Sequence, residues 1–320
     1  MRWVLSRRVP PPRAVGTGGG TASQGDEVVL MWHSSTVSVV LMTYAEKGSI
    51  RETIEGFYAT GVVDEVVVVN NNAEPGTHDL VAVTRARQVH EGRQGYGWAT
   101  RRGLAEATGD IVVLCEPDGT FLPGDIFKLL VYSDDCDVVL GTRTTRELLW
   151  HGANMGWFMR WGNWGLAKLI EVLFDTSHLS DVGCTYRLLR REALEQVRHR
   201  FTVGGEHFGP ELMLLCLTAD LRVVEVPVNY LPRVGVSSVT GDLGKAVRLG
   251  LRMAGFIVAF RLRSLGRTHG HPGNRRIDRD AWRVVRIHAN GLLPHVDGRA
   301  SAPAAEAVVG GRRAVAPPTG

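Results

Sequence analysis

Short runs of β-branched residues alternate with helix-like segments through the middle of the sequence, and this alternation limits the chain to few folds. The clearest run is residues 65–69, a glutamate followed by four valines. An unbroken apolar run of this kind is typical of a strand buried on both faces, as in a parallel sheet covered by helices. Similar runs occupy residues 37–43, 111–115 and 137–141. These segments predict the central strands of one sheet.

Helix signals fill the gaps between these strands. Ser49 and Glu52 have the spacing of a capping box, and the apolar residues after them fall on one helix face. A second helix is predicted over residues 96–107, and a third begins at Pro123. The resulting βαβαβαβ order predicts an α/β fold with an open, mainly parallel, Rossmann-like sheet flanked by helices.

Composition divides the chain into four parts. Residues 1–34 and 268–320 are rich in Gly, Pro, Ala and Arg and lack periodicity, so we predict a disordered leader and a disordered tail. Residues 35–240 hold the predicted α/β domain. Residues 241–267 carry basic side chains around a short apolar stripe, which predicts C-terminal amphipathic helices.

Charge and cysteine content exclude several function classes. A net charge of +4 and a pI near 9.0 are modest for a nucleic-acid binder, so no nucleic-acid partner is predicted. The four cysteines are isolated from one another, which indicates neither a disulfide framework nor a structural metal site. No apolar run approaches the roughly 18 to 20 residues needed to cross a bilayer. We therefore expect a cytoplasmic protein, and homo-oligomerisation is left open.

Candidate functional residues directly follow the strands, because the carboxyl ends of parallel strands meet at one edge of a sheet. Glu116 and Asp118 follow the third predicted strand, separated by one residue. Paired carboxylates at a strand end suit Mg²⁺ or Mn²⁺, although an acidic β-turn has the same spacing. Arg143 follows the fourth strand, where its planar guanidinium suits a phosphate.

Seven short motifs, in order along residues 37–265, resemble those of the family 2 glycosyltransferases, specifically the branch of dolichyl-phosphate and polyprenyl-phosphate mannosyltransferases. The motifs are Met42-Thr-Tyr-Ala-Glu46, Val68-Val-Asn-Asn-Asn72, Gly95-Tyr-Gly-Trp-Ala99 with residues 103–110, Glu116-Pro-Asp118, Gly141-Thr-Arg143, Ser180-Asp-Val-Gly-Cys-Thr-Tyr-Arg187, and Val226-Pro-Val-Asn-Tyr230 with Arg233-Val-Gly-Val-Ser237. The resemblance implies a GT-A fold and an inverting, metal-dependent enzyme that moves a sugar from a nucleotide diphosphate sugar.

The resemblance also implies roles for individual residues. Glu46 and Asn70 correspond to nucleoside-binding positions, and Arg143 and Arg233 to phosphate-binding positions. Asp118 corresponds to a metal ligand, with the other carboxylate of its motif beside it. The predicted metal ligands are Asp118 and Glu116; the substrate-binding set is Thr43, Tyr44, Glu46, Asn70, Gly95, Glu116, Arg143, Arg187, Arg233 and Ser237; the catalytic set is Asp118, Asp181, Glu211 and Arg143.

Three departures from the family pattern affect this assignment. Met42 and Ala45 replace the usual proline and asparagine of the first motif. Asn70 replaces the usual aspartate of the nucleoside loop, and Glu116 replaces the first aspartate of the metal motif. Asn70 offers both donors and an acceptor to a base, so the sequence does not define the nucleotide. Glu116 keeps the negative charge with a longer reach, so a metal is still expected.

The identity of the acceptor decides whether a general base is needed. A hydroxyl acceptor must lose a proton, and Asp181, Glu206 and Glu211 are the candidate bases. A polyprenyl phosphate already presents an anionic oxygen and needs no base. Glu211 also stands at the start of an apolar helix, where the helix dipole favours a carboxylate without any catalytic role.

Two segments suggest contact with a membrane. Residues 150–174 contain four of the eight tryptophans, interleaved with basic residues, which suits a helix lying at the headgroup level. A core helix or a dimer-interface helix is the alternative. Residues 245–263 carry four arginines around an apolar stripe, which suits an anionic lipid surface, although a solvated helix face has the same pattern.

These features predict a glycosyltransferase, peripheral on the inner face of the cell membrane, that transfers a sugar to a membrane-held polyprenyl phosphate. Two alternatives stay open. One is a soluble family 2 enzyme that acts on a small hydroxyl or glycan acceptor. The other is a catalytically silent subunit that binds a nucleotide sugar.

Overall fold

The computed structural model describes residues 32–153, 157–176, 178–235 and 243–264. The predicted tail and nearly all of the predicted leader lie outside these residues. The described residues form a mixed α/β fold in which helices cover both faces of a seven-stranded sheet, which confirms the predicted fold class.

The sheet has the strand order β3-β2-β1-β4-β6-β5-β7. Its strands are β1 (Val37–Thr43), β2 (Glu65–Asn70), β3 (Arg87–His90), β4 (Ile111–Cys115), β5 (Val138–Thr142), β6 (Arg187–Arg190) and β7 (Val223–Pro227). Neighbouring strands run parallel, except that β6 is antiparallel to both β4 and β5. The four predicted strands correspond to β1, β2, β4 and β5.

The valine-rich strands form the centre of the sheet because both of their faces are covered. β1 and β4 are buried at every position, and β2 is buried at its four valines. Side chains alternate between the two faces of a strand, so the neighbours Val39 and Val40 contribute to opposite cores. Each fully buried aliphatic side chain stabilises the fold by roughly 1.5 to 3 kcal/mol.

Three of the seven strands, β3, β6 and β7, were not predicted by the sequence pattern. β3 is a four-residue edge strand with polar side chains that are partly or fully exposed, so it lacks the apolar run that marks the other strands. β6 has only Leu188 and Leu189 between two arginines, yet both leucines are buried between β4 and β5. A pair of leucines is too short a run to indicate a strand. Residues 187–190 form a strand because they pair with β4 and β5.

Eight α-helices complete the described part of the fold. They are α1 (Ile50–Ala59), α2 (Thr77–Ala82), α3 (Tyr96–Glu106), α4 (Ile126–Ser133), α5 (Trp157–Phe174), α6 (Arg191–Val197), α7 (Phe208–Leu217) and α8 (Leu243–Ser264). Helices α1, α2 and α4 cover one face of the sheet, and the other five contribute to the core on the opposite face. The three helices predicted between the strands correspond to α1, α3 and α4.

Ser49 is the N-cap residue of α1, but the predicted capping box does not form. Its hydroxyl instead donates a 2.6 Å hydrogen bond to the carbonyl of Pro117, in the loop after β4. The start of α1 is therefore tied to the loop that carries Glu116 and Asp118.

The two helices with membrane-like sequences are amphipathic. In α8, Ile257 is fully buried and belongs to the core, and α8 contacts both α5 and α7. In α5, Ala167 and Ile170 are buried while Trp161 is exposed. Trp150 lies in the loop before α5, so the helix begins later than the tryptophan-rich segment does. Within the described residues, no helix combines the length and the hydropathy needed to span a bilayer.

Gly103 allows α3 to lie close to the sheet. A methyl group at this position would lie 2.2 Å from Val40 Cγ1 and 2.9 Å from Val69 Cγ2. We expect Gly103→Ala to lower the free energy of unfolding by about 1 to 3 kcal/mol in urea denaturation, because an overfilled core must rearrange. The matched control is Gly255→Ala in α8, where a methyl group meets nothing within 4 Å. There the helix propensity of alanine should raise stability by up to about 1 kcal/mol. Equal changes at both sites would contradict this packing.

Candidate active site

The loops after β1, β2, β4 and β5 meet at one edge of the sheet, as predicted. The strands β1, β2 and β4 run parallel, and β5 has the same direction because the antiparallel β6 lies between it and β4. These loops border a cavity with a volume of about 1260 Å³. The start of α7 and parts of α5 and α8 complete its wall.

Most of the predicted substrate and metal residues line this cavity. Those that do are Thr43, Tyr44, Glu46, Gly95, Glu116, Asp118, Arg143, Arg187 and Arg233. Asn70, Asp181 and Glu211 are not part of the lining. Ser237 lies outside the described residues.

Three carboxylates surround one arginine at the centre of the site. Arg233 Nη1 lies 3.0 Å from Asp118 Oδ2 and 4.0 Å from Glu116 Oε2. Its Nη2 lies 2.9 Å from Glu46 Oε1. A single guanidinium therefore partly neutralises carboxylates that come from the loops after β1 and β4.

Hydrogen bonds within these loops fix the directions of two of the carboxylates. Asp118 Oδ1 accepts from the backbone N–H and the hydroxyl of Thr120, at 2.9 and 2.5 Å. Glu46 Oε2 accepts from the backbone N–H groups of Tyr44 and Ala45. In each case the second oxygen is directed to Arg233.

Glu116 and Asp118 have the chemistry of a divalent-metal site. Burial, together with the charge of Asp118, raises the pKa of Glu116 to about 8. A bound cation would therefore stabilise the ionised forms of the two carboxylates. Arg233 Nη1 already stands beside both carboxylates, where a cation is favoured. Among the described residues, no group of three His, Cys, Asp or Glu side chains is placed to hold a metal. The two carboxylates therefore fit an ion such as Mg²⁺, which usually takes its other ligands from phosphates and water.

Arg143 is held by Asp181 in a two-point ion pair. Arg143 Nε and Nη2 lie 2.8 and 2.9 Å from the two carboxylate oxygens of Asp181. Burial favours the neutral acid, but the charge of Arg143 outweighs it and keeps the pKa of Asp181 below its ordinary value. The Arg143 guanidinium also lies 5.1 Å from the centre of the Tyr230 ring. Arg143 thus meets the cavity in a fixed orientation.

Of the three candidate bases, Glu206 alone lines the cavity. Both oxygens of the buried Asp181 are engaged by Arg143. Glu211 is also buried, and its oxygens accept hydrogen bonds from the backbone N–H groups of residues 202–203. The two buried carboxylates therefore hold neighbouring segments in place.

The asparagines after β2 have different roles. Asn70 Oδ1 accepts the backbone N–H of Ala73 and closes a turn. Asn71 lines the cavity, donates to two carbonyls of the 91–95 loop and accepts from the N–H of Gly95. Adjacent side chains at a strand end point in opposite directions, and this periodicity is the signal that could have separated the two.

Arg187 borders the cavity, but its guanidinium is engaged by the protein itself. It donates hydrogen bonds to the backbone carbonyls of Val182, Cys184 and Gly209. These bonds tie the segment before β6 to the first turn of α7. The predicted contact between Arg187 and substrate stays a prediction.

Several polar residues that line the cavity were not predicted from the sequence. They include Asn71, Gln94, Asn163, His207 and Arg252. The basic pattern of α8 indicated Arg252 only as part of a lipid-facing surface. Its place in the cavity lining follows from the packing of α8 against α5 and α7, which no local pattern reveals.

Metal binding should depend on pH through Glu116. Its raised pKa favours the protonated acid in the metal-free protein, whereas a metal ligand must be deprotonated. We therefore expect the affinity for Mn²⁺ in isothermal titration to increase as the pH rises from about 6.5 to about 8.5. Asp118→Asn should abolish binding, and the exposed control Asp135→Asn should preserve it. Equal affinities in the two variants would remove the carboxylate pair from the metal site.

The ion pair between Arg143 and Asp181 can be tested by a double-mutant cycle. Arg143→Ala leaves a buried carboxylate without its partner, so we expect the free energy of unfolding to fall by about 3 to 5 kcal/mol. Replacing both residues by alanine should restore part of that stability, because no unpaired charge is left. Urea denaturation at pH 7 measures both effects. Strictly additive losses would mean that the two side chains are not coupled.

Sequence comparison places the chain in an enzyme family. The family model described as glycosyl transferase family 2 matches residues 38–198. The chain is 30% identical over 240 residues to the low-salt glycan biosynthesis hexosyltransferase Agl6 of Haloferax volcanii, an alignment that covers 71% of this chain and 57% of Agl6. It is 26% identical to a dolichyl-phosphate hexose transferase of the same organism, over 66% of this chain and 89% of that protein.

Structure comparison supports the fold assignment. The glucosyl-3-phosphoglycerate synthase of Mycobacterium tuberculosis, crystallised with Mn²⁺, uridine diphosphate and glucosyl-3-phosphoglycerate, superimposes with a TM-score of 0.53 and 18% identity. The match covers 77% of this chain and 86% of that one. At this identity the likeness concerns the fold alone. The chain has a GT-A fold and belongs to family 2 of the glycosyltransferases.

Proposed function

We propose that the protein transfers a hexose from a nucleotide diphosphate sugar to the phosphate of a polyprenyl lipid at a membrane surface. The observation that carries this proposal is the lining of the cavity. A single space joins the Glu116 and Asp118 pair to an apolar seam between α5 and α8. This α5–α8 seam is lined by Met159, Leu166, Leu169, Val247, Leu249 and Met253.

Residues at the edge of the sheet supply the donor side of the reaction. Asp118 and Glu116 would hold the metal, and Arg143 and Arg233 would contact the diphosphate. A bound Mg²⁺ or Mn²⁺ supplies positive charge where the leaving diphosphate becomes more negative. Arg143 adds a second charge that needs little reorganisation, because Asp181 fixes its orientation. The proposed nucleoside and sugar contacts in the lining are Thr43, Tyr44, Glu46, Gly95 and Arg187, and the contacts that the family resemblance implies for Asn70 and Ser237 stay predictions.

Donor binding then changes the partner of Arg233. In the protein alone, Arg233 binds the oxygens of Glu46 and Asp118. A metal needs the same carboxylate charge, and two cations at this separation repel each other. We therefore expect Arg233 to leave the carboxylates and bind the diphosphate that arrives with the metal.

A phosphate acceptor is consistent with the hydrogen bonding of the candidate bases, because two of the three are engaged within the protein. Asp181 and Glu211 are both engaged in internal contacts, so Glu206 is the candidate base left in the cavity. A phosphate oxygen is already anionic and requires no proton removal. Inverting displacement then needs only that this oxygen is aligned opposite the leaving diphosphate.

The exposed faces of α5 and α8 supply the membrane contact. Trp161 and Trp164 on α5 are 58% and 42% exposed, and Leu251 and Leu262 on α8 are 69% and 61% exposed. Helix α8 contains five Lys and Arg residues and no Asp or Glu. Indole and leucine side chains at the headgroup level, with arginines beside anionic lipid, would bind the surface without spanning it.

The names of two relatives support this acceptor class, since one is a dolichyl-phosphate hexose transferase and the other a hexosyltransferase of glycan biosynthesis. The predicted position on the inner face of the cell membrane stays a prediction. The soluble enzyme and the silent subunit are alternatives that the following experiment separates.

We expect Trp161→Ser/Trp164→Ser to reduce sedimentation with phosphatidylglycerol vesicles and to reduce transfer to polyprenyl phosphate, because two exposed indoles are lost. Nucleotide-sugar binding should not change. Vesicle binding by the parent should weaken at high salt, which screens the attraction of α8 for anionic lipid. The matched control is Val131→Ser/Tyr132→Ser, an exposed pair on α4, which covers the other face of the sheet.

Three outcomes would contradict the proposal. Vesicle binding equal to that of the parent would leave the tryptophans without a membrane role. Transfer to a soluble hydroxyl acceptor but not to polyprenyl phosphate would support the soluble enzyme. Donor binding in the presence of Mn²⁺ with no transfer to either acceptor would support the silent subunit.

A further inference from the structure

Helices form a second polar corner of the cavity, built from His207 and Arg252. His207 is the N-cap residue of α7, and Arg252 lies on α8. The ring of His207 contacts Phe256, with 5.5 Å between ring centroids. Phe256 lies about one helical turn after Arg252, on the same side of α8. His207 and Arg252 are therefore neighbours across the contact between α7 and α8.

Neither side chain has a polar partner within the described part of the chain. His207 Nδ1 is buried and makes no hydrogen bond there. Arg252 is exposed and takes part in none of the ion pairs found among the described residues. Burial and the charge of Arg252 lower the pKa of His207, while Glu206 and Glu211 oppose this shift. At neutral pH the corner thus holds one fixed positive charge beside a neutral imidazole.

The negative charge elsewhere in the cavity suggests that the positive charge of this corner binds an anionic ligand. An anionic acceptor must approach the four carboxylates of the described lining, Glu206 among them, and the diphosphate of the donor, all of which repel it. The other arginines of the described lining are already engaged: Arg143 by Asp181, Arg233 by the carboxylates, and Arg187 by backbone carbonyls. Arg252 is the one cation of that lining with no partner.

We propose that Arg252 and His207 form an acceptor-phosphate subsite, in which the guanidinium and the imidazole bind the phosphomonoester of the acceptor. The proposal rests on the proposed function, because it assumes an acceptor that carries a phosphate. The N-terminus of α7 adds partial positive charge beside His207. Leu249 and Met253 adjoin Arg252 on α8 and belong to the α5–α8 seam, so a prenyl chain attached to that phosphate would continue along the seam.

The test uses the full-length protein without membranes, so that vesicle binding does not contribute. The probes are inorganic phosphate, glycerol 3-phosphate and farnesyl phosphate, and the readout is the NMR signals of the His207 ring, assigned with His207→Gln. Each probe should shift these signals and raise the pKa of His207, because a bound phosphate stabilises the imidazolium. Arg252→Gln should weaken binding about tenfold or more, as expected for the loss of a charge-assisted hydrogen bond. The matched control is Arg248→Gln, which removes an exposed arginine of α8 outside the cavity lining.

Transfer kinetics give the second readout. Arg252→Gln should raise the KM for farnesyl phosphate about tenfold or more and leave the KM for the donor unchanged. Tighter binding of farnesyl phosphate than of glycerol 3-phosphate would identify a lipid acceptor, and equal binding would identify recognition of the phosphate alone.

Two results would overturn the subsite: identical behaviour of Arg252→Gln and Arg248→Gln, or His207 signals that no phosphate moves in the parent protein. A third result separates the two proposals. If phosphate binding depends on Arg252 but the parent transfers no sugar to any prenyl phosphate, the proposed function fails and the subsite stands.

Discussion

The candidate site depends on the concentration of negative charge at one edge of the sheet. The loops after β1 and β4 bring Glu46, Glu116 and Asp118 to a single guanidinium. Burial, and the repulsion between carboxylates this close, raise the pKa of Glu116. Arg233 relieves part of that repulsion. The segment that carries Arg233 is therefore drawn onto these loops by charge, in addition to two backbone hydrogen bonds.

The centre of the fold could be predicted from the sequence because burial on both faces leaves a local signature. The valines of β2 need no knowledge of the rest of the chain to be recognised as a buried strand. The edge strand β3 and the inserted strand β6 have no such signature. Ile111 of β4 pairs with Arg190 of β6, far along the chain, and only this non-local pairing makes residues 187–190 a strand.

The site was predictable to the extent that it follows the ends of strands. Glu116 and Asp118 were identified from their position after β4, and both line the cavity. The sequence did not predict which of two neighbouring side chains points into the cavity. Asn70 closes a turn while its neighbour Asn71 lines the cavity. For Glu211, the sequence offered a structural explanation at a helix start, and its bonds to residues 202–203 agree with a structural role.

The antiparallel strand β6 has a consequence for how such an enzyme can diversify. β5 ends at the active edge and β6 starts there, with the N–H of Gly141 bonded to the carbonyl of Tyr186. Residues 143–186, which include α5, therefore form a long connection between β5 and β6 whose two ends are adjacent. A connection of this kind can change in length and sequence without altering the register of any strand. In the proposed function α5 lies on the acceptor side, so this connection can change while the strands that position Glu116 and Asp118 stay the same, and one transfer chemistry can be redirected to new acceptors.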